Sequence, residues 1–164
     1  MSYVAPDPSA FLGQSVPDGQ CVAFVRKAAG CPPTNRWAPG VKARGSKLAK
    51  GAAIAVFQDG RYNNHEDGRS HAAILLRQTA EALVVVDQWI GQVVHEREIR
   101  FKAGAGKPVN DGDAYSVIED RAVLSAIGLA ISKASILNGV RIEQRRIKKT
   151  AGRAQRARKK AKPE

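Results

Sequence analysis

Aromatic side chains are scarce in this chain: Phe, Trp and Tyr make up 5% of 164 residues. That scarcity argues against a platform on which nucleic-acid bases stack. Two cysteines, Cys21 and Cys31, are too few for a disulfide framework. No run of about 18 apolar residues occurs, so no spanning helix is expected. The opening Met1-Ser2-Tyr3-Val4-Ala5-Pro6-Asp7 has neither a basic n-region nor an apolar h-region. The Cys-x-x-Cys and His-Glu-x-x-His spacings of common zinc sites are missing. His65, Asp67 and His71 are therefore not read as a metal site, and no metal or cofactor is expected.

What remains is an ordinary globular composition, 43% hydrophobic and 26% charged, with an unusual distribution of charge. Residues 1–119 carry 14 basic and 12 acidic side chains, a net of +2, whereas residues 120–164 carry 13 and 3, a net of +10. The chain therefore reads as a nearly neutral folded module, 1–119, followed by a basic extension, 120–164. Apolar residues within 122–140 (Val123, Leu124, Ile127, Leu129, Ile131, Ile136 and Leu137) predict a helix with a broad apolar face. It has three uses: covering the body, self-association, or lying on a bilayer surface. Arg141 to Lys162 is either a solubilising tail or a contact for an anionic polymer or lipid.

Prolines 6, 8 and 17 make residues 1–18 a loop. A short helix follows over Cys21–Gly30, with Asp18 as N-cap and Gly30 as the stop. Residues 31–51 read as a loop. Five strands are then expected: Ala52–Phe57, Ser70–Leu76, Ala82–Trp89, Val93–Phe101 and Ala114–Ile118. The second and third, joined near Thr79-Ala80-Glu81, form an antiparallel hairpin. A helix followed by antiparallel strands is an α+β pattern. The loop 58–69 is either the rim of a cleft or a solvated turn.

Three residues in this order form a nucleophile–base–orienter set. Cys21 opens a helix, where free N–H groups and the dipole favour a thiolate. His71 opens a strand, and an imidazole there takes and returns the proton. Asp87 ends the next strand, where a carboxylate fixes the imidazole tautomer. Taken singly, each residue has a commoner structural use, Cys21 as a buried thiol above all.

The local sequence sharpens this reading. Gly19-Gln20-Cys21-Val22-Ala23-Phe24-Val25 resembles the nucleophile segment of CHAP-type amidases, a branch of the papain-like NlpC superfamily of cysteine peptidases. Gly51-Ala52-Ala53-Ile54-Ala55-Val56-Phe57 resembles the strand that follows. Ser70-His71-Ala72-Ala73-Ile74 resembles the family's Gly-His-Val-Ala-Ile strand, and Val84-Val85-Val86-Asp87-Gln88-Trp89 its acid-bearing one. A small bacterial CHAP-like group that includes candidate interbacterial effectors looks most alike. The segments cover residues 15–118. Ser70 stands where relatives have Gly, Cys31 matches no family role, and the last 45 residues lie outside the resemblance.

The resemblance implies a papain-like fold, with the helix packed on an antiparallel sheet of about five strands. It implies amide hydrolysis, usually of peptidoglycan, with Cys21 as nucleophile, His71 as base and Asp87 as orienter. The backbone N–H of Cys21 is the natural first oxyanion donor. Gln20 and Gln88 are candidate supports, with Gln14 more distant. Trp37 and Trp89 are candidates for lining the cleft. Without a signal peptide, such an enzyme is expected to be made in the cytoplasm and exported by a non-Sec route such as type VI injection, or released by lysis. An effector also needs a cognate immunity protein in its producer. The competing reading is non-enzymatic, a small body delivering a polyanion-binding basic arm.

Overall fold

The computed structural model describes residues 2–132, 134, 135 and 142. By contacts the chain falls into two units, Met1–Val123 and Leu124–Glu164.

In the first unit, α1 (Cys21–Ala29) buries Cys21, Phe24, Val25 and Ala28. This i, i+3, i+4, i+7 spacing makes one apolar face. Gly30 stops the helix in the left-handed conformation, φ 69°, and its N–H returns to the Arg26 carbonyl. The N-cap is Gln20, not Asp18. Asp18 instead sits at φ 66° in the turn before the helix, and its carboxylate takes the Gln20 N–H at 2.8 Å. An Asx turn thus aims the chain into the helix, without capping it.

Six strands follow: β1 (Trp37–Lys42), β2 (Ala53–Val56), β3 (Ala72–Gln78), β4 (Ala82–Trp89), β5 (Gln92–Arg100) and β6 (Tyr115–Asp120). They form one antiparallel sheet in the order β1-β6-β2-β3-β4-β5. The extra strand, β1, lies within the segment read from sequence as a loop. Pro39 and Gly40 mask it, because both are poor strand formers. It is tolerated at the sheet edge, where a missing N–H costs no ladder bond, and its pairing with β6 slips between Pro39 and Lys42.

Side chains alternate between two layers, as strand geometry requires. Ile74, Val86 and Ile118 join Phe24, Val25 and Trp37 beneath α1. Ile54, Leu75, Leu83, Val85, Ile99, Tyr115 and Val117 build a second core on the other face. Both faces being covered explains the nearly continuous apolar runs of β2 and β4.

Residues 121–132 are helical, and Leu124, Ile127, Leu129 and Ile131 are exposed. Among the described residues no helix is long and apolar enough to cross a membrane. The basic segment Arg141–Lys162 lies, apart from Ile142, outside the described residues, as does most of 133–140.

Candidate active site

Cys21 is the first residue of α1, so its amide N–H has no carbonyl within the helix. The residues before it are tied down by Gln88. Gln88 Oε1 accepts the Val16 N–H at 3.1 Å, and Nε2 donates to the carbonyls of Val16 at 3.3 Å and Gln20 at 3.0 Å. Gln88 is fully buried. Its amide is committed to this loop, so it is not a donor to anything in the cleft.

His71 stands immediately before β3, its carbonyl held by the Val56 N–H at 3.0 Å. The β3–β4 register, Ile74↔Val86, brings Asp87 within reach. His71 Nε2 lies 2.8 Å from Asp87 Oδ2. Cys21 and the same imidazole both line the cleft and lie close enough that each shifts the titration of the other. The sheet therefore assembles thiol, imidazole and carboxylate in a row.

Two further side chains complete the cluster. The Tyr62 hydroxyl lies 3.6 Å from Cys21 Sγ, with its ring wedged against Trp37 and Phe57. Arg97 of β5 donates to Asp87 Oδ2 through Nε at 2.9 Å and Nη2 at 2.7 Å. Sequence reasoning missed both. Tyr62 belongs to a polar loop, and Arg97 to His95-Glu96-Arg97-Glu98, which reads as a solvated face. Counting back from the turn at Ile90-Gly91 would not have found Arg97 either, because it puts Val94 opposite Asp87; a register shift between Asp87 and Trp89 pairs Asp87 with His95 instead and makes Arg97 its diagonal neighbour on the same face.

The electrostatics favour an ion pair. Burial pushes the Cys21 thiol up, but the hydrogen bond and charge of His71, the Tyr62 hydroxyl and the Ala72 amide bring it below its ordinary value. Burial alone would lower His71; Asp87 and Cys21 instead raise it to about 9. Burial likewise opposes ionisation of Asp87, yet His71 and Arg97 hold its carboxyl below the usual range. These directions favour a thiolate–imidazolium pair beside an ionised carboxylate. Cys31 is the contrast: burial pushes it up to about 12, leaving an inert thiol. Both cysteines are free.

These groups open into a cleft of about 430 Å³ lined by Gln20, Cys21, His71, Trp89, Ile90, Arg97 and Asn110. Asn64, His65, Glu66 and Gly68 supply its rim, so the 58–69 loop borders the cleft. Gln20 is half-buried there and its side chain makes no cap bond. Gln14 is exposed, donates to the Ala10 carbonyl at 2.7 Å, and does not line the cleft. Trp89, 41% exposed, forms a lip with its ring edge-on to His95 and to His71. Trp37 does not line the cleft. It is fully buried, with its indole N–H on the Pro32 carbonyl at 2.8 Å and its ring 4.9 Å from that of Tyr62. A large apolar ring next to α1 gains more from burial than from exposure, so its role is to support Tyr62. His65 and Asp67 are engaged with Arg69, and no group of three or more metal-ligating His, Cys, Asp or Glu side chains occurs among the described residues.

The family model of domesticated amidase effector 2 matches residues 2–118. The chain belongs to this family. A type VI secretion amidase effector 2 protein of Salmonella typhi is 28% identical over 113 residues, 61% of this chain and 84% of the relative. A solved type 6 secretion amidase effector 2 structure matches with a TM-score of 0.63 and 29% identity, covering 72% of this chain and 94% of that one. The fold is accordingly papain-like, of the NlpC and CHAP kind, and the protein is a hydrolase of the amidase effector class. This sets aside the purely non-enzymatic reading. Residues 119–164 lie beyond the family match.

Proposed function

We propose that the protein is a cysteine amidase that cleaves peptide or amide bonds of bacterial peptidoglycan, with Cys21 as nucleophile, His71 as acid and base, and Asp87 as orienter. The observation that carries this reading is the juxtaposition of Cys21 and His71 in one cleft, with His71 Nε2 bonded to the buried Asp87 Oδ2 at 2.8 Å behind it. Membership of an amidase effector family supports the substrate class.

The chemistry follows from the cluster. The Cys21 thiolate attacks the amide carbonyl carbon, and the C=O π pair moves onto oxygen. The developing oxyanion meets the Cys21 backbone N–H, with the Gln20 side chain as second donor. As the tetrahedral adduct collapses, the C–N bond breaks and the His71 imidazolium gives its proton to the leaving amine. An S-acyl enzyme remains. His71, now neutral, takes a proton from water, whose oxygen attacks the thioester. The C–S bond then breaks, releasing a carboxylic acid and restoring the thiolate–imidazolium pair. Asp87 keeps Nε2 of His71 bonded throughout, so that Nδ1 stays turned toward sulfur. Gln88 acts as support by fixing the loop that leads into Cys21, and Trp89 packs against the bound chain.

The same reading places the substrate in the periplasm or cell wall of a target bacterium. The enzyme is made in the cytoplasm and carried by a type VI-like route, with a cognate immunity protein guarding the producer. In this reading residues 1–119 are the amidase domain, and the net charge of +10 on residues 120–164 lets Arg141–Lys162 contact anionic envelope polymers or lipids. Self-association through 122–140 is the further partner. Salt-dependent retention on anionic vesicles or polymers tests the arm, and the oligomeric state of I127E tests self-association.

The decisive experiment is digestion of purified peptidoglycan by wild type and C21A, with soluble products read by mass spectrometry. Products from wild type alone, with masses naming the bond, are expected. Equal release by C21A overturns the assignment.

A further inference from the structure

The arrangement around Asp87 is lopsided. Its Oδ2 receives three donors: His71 Nε2 at 2.8 Å, Arg97 Nε at 2.9 Å and Arg97 Nη2 at 2.7 Å. Its Oδ1, also buried, has no hydrogen-bond partner, and His95 Nδ1 lies 3.8 Å from it. The remaining arm of the guanidinium points elsewhere: Nη1 donates to Asn110 Oδ1 at 3.2 Å and reaches the Val109 carbonyl at 3.5 Å. Its Cζ lies 5.5 Å from the Trp89 ring centroid. Arg97 thus touches the carboxylate, one cleft wall and the cleft lip at once.

We propose that Arg97 is a positioning residue: it holds Asp87 through a single oxygen, balances the charge of the Cys21–His71–Asp87 cluster, and ties that cluster to the Val109 carbonyl and the Asn110 side chain. The inference rests on the amidase reading above. Its logic is electrostatic and geometric. Thiolate, imidazolium and carboxylate sum to −1, and a net charge in a buried site is costly. The Arg97 cation brings the sum to zero. Because both Arg97 donors and His71 share Oδ2, any displacement of that oxygen disturbs all three bonds. Lys cannot reproduce this, since one ammonium lacks the planar fork that spans Asp87 and Asn110.

Other groups around Arg97 do not replace it. Tyr115, raised by burial, stays neutral and donates its hydroxyl to the Val109 carbonyl at 2.9 Å. His95 faces Oδ1, and its Nδ1 is 3.1 Å from the Val93 carbonyl. Glu66, which also borders the cleft, is an acid and not a cation.

The test uses full-length wild type, R97M and R97K. Two readouts are followed against pH: peptidoglycan hydrolysis, and alkylation of Cys21 by iodoacetamide, site-resolved by mass spectrometry. Removing a nearby positive charge raises the pKa of every group it touches electrostatically. In R97M both limbs of the activity profile, and the alkylation midpoint, are therefore expected to move upward by roughly one pH unit. R97K is expected to keep the limbs near their wild-type positions and lose about tenfold in kcat, through the missing fork. A folded R97M with unmoved limbs overturns the charge-balancing role. R97K with wild-type kcat overturns the positioning role, and it carries the test alone if R97M does not fold. Wild-type Cys21 that alkylates no faster than Cys31 overturns the amidase reading itself, and this inference with it. Activated alkylation without hydrolysis faults only the substrate.

Discussion

Gln88 binds Val16 as a backbone would: its side-chain oxygen accepts the Val16 N–H at 3.1 Å and its nitrogen donates to the Val16 carbonyl at 3.3 Å. Two residues 72 positions apart are joined by one amide. A third bond, to the Gln20 carbonyl at 3.0 Å, stops one residue short of Cys21. Q88A strands a buried N–H and removes a donor from two carbonyls. A loss of roughly 1–3 kcal/mol in stability is expected, with a larger fractional loss of kcat than of substrate affinity. Urea unfolding and steady-state kinetics check this. Unchanged values on both would show that the loop holds itself.

The ion pair sets a pH window. His71 titrates near 9 in the folded protein against an ordinary 6.5, so it is a raised group. Its stabilising contribution is complete below 6.5 and is lost as pH rises through about 9. Activity should fall over the same upper range, as the imidazolium loses the proton it delivers to the leaving amine. Cys21 and Asp87 are lowered groups. Their contributions are present above the ordinary thiol and carboxyl values and fade as pH falls through the folded ones. An alkaline limb close to the ordinary imidazole value would contradict this order. A pH–rate profile beside thermal melts decides.

Asp87→Asn keeps the shape and removes the charge. The amide can present its NH₂ to His71 Nε2, which selects the wrong tautomer, and it leaves Arg97 without its carboxylate. We expect a fall of about 100-fold or more in kcat and an alkaline limb displaced toward lower pH. A D87N variant within a few-fold of wild type would remove Asp87 from the mechanism.

Tyr62→Phe deletes only the hydroxyl 3.6 Å from sulfur and keeps the packing on Trp37 and Phe57. The thiol should lose one hydrogen bond to its charged form, so its pKa rises and alkylation at pH 7 slows several-fold. A fold unchanged by circular dichroism with an unchanged alkylation rate would make Tyr62 a packing residue only.

The contrast between residues found and missed has a physical basis. Cys21, His71 and Asp87 each lie in short segments whose neighbours are constrained locally: a helix start, a strand start and a strand end. Such constraints leave marks within a few positions. Arg97 and Tyr62 carry no such mark. Arg97 stands in an alternating charged strand whose inward members are selected by β4, and Tyr62 in a loop whose ring is captured by Trp37. The error over Trp37 has the same origin, since a lone aromatic in a Pro-rich segment reads equally well as a lip or as core. Strand β1 was hidden because Pro39 and Gly40 are acceptable only at a sheet edge, and which strand is an edge is a property of the whole sheet.

The family resemblance of their segments singled out Cys21, His71 and Asp87 as candidates, while the residues alone were enough for the α+β order, the hairpin of β3 and β4 and the uneven charge of residues 1–119 and 120–164. These depend on periodicity, turn chemistry and charge, all short-range along the chain. Tertiary structure alone decided that one oxygen of Asp87 serves both His71 and Arg97, that Gln88 faces the loop before Cys21 instead of the cleft, and that Trp37 is core while Trp89 is surface. Each of these follows from strand register and layer packing, which bring together residues tens of positions apart and which no local pattern encodes.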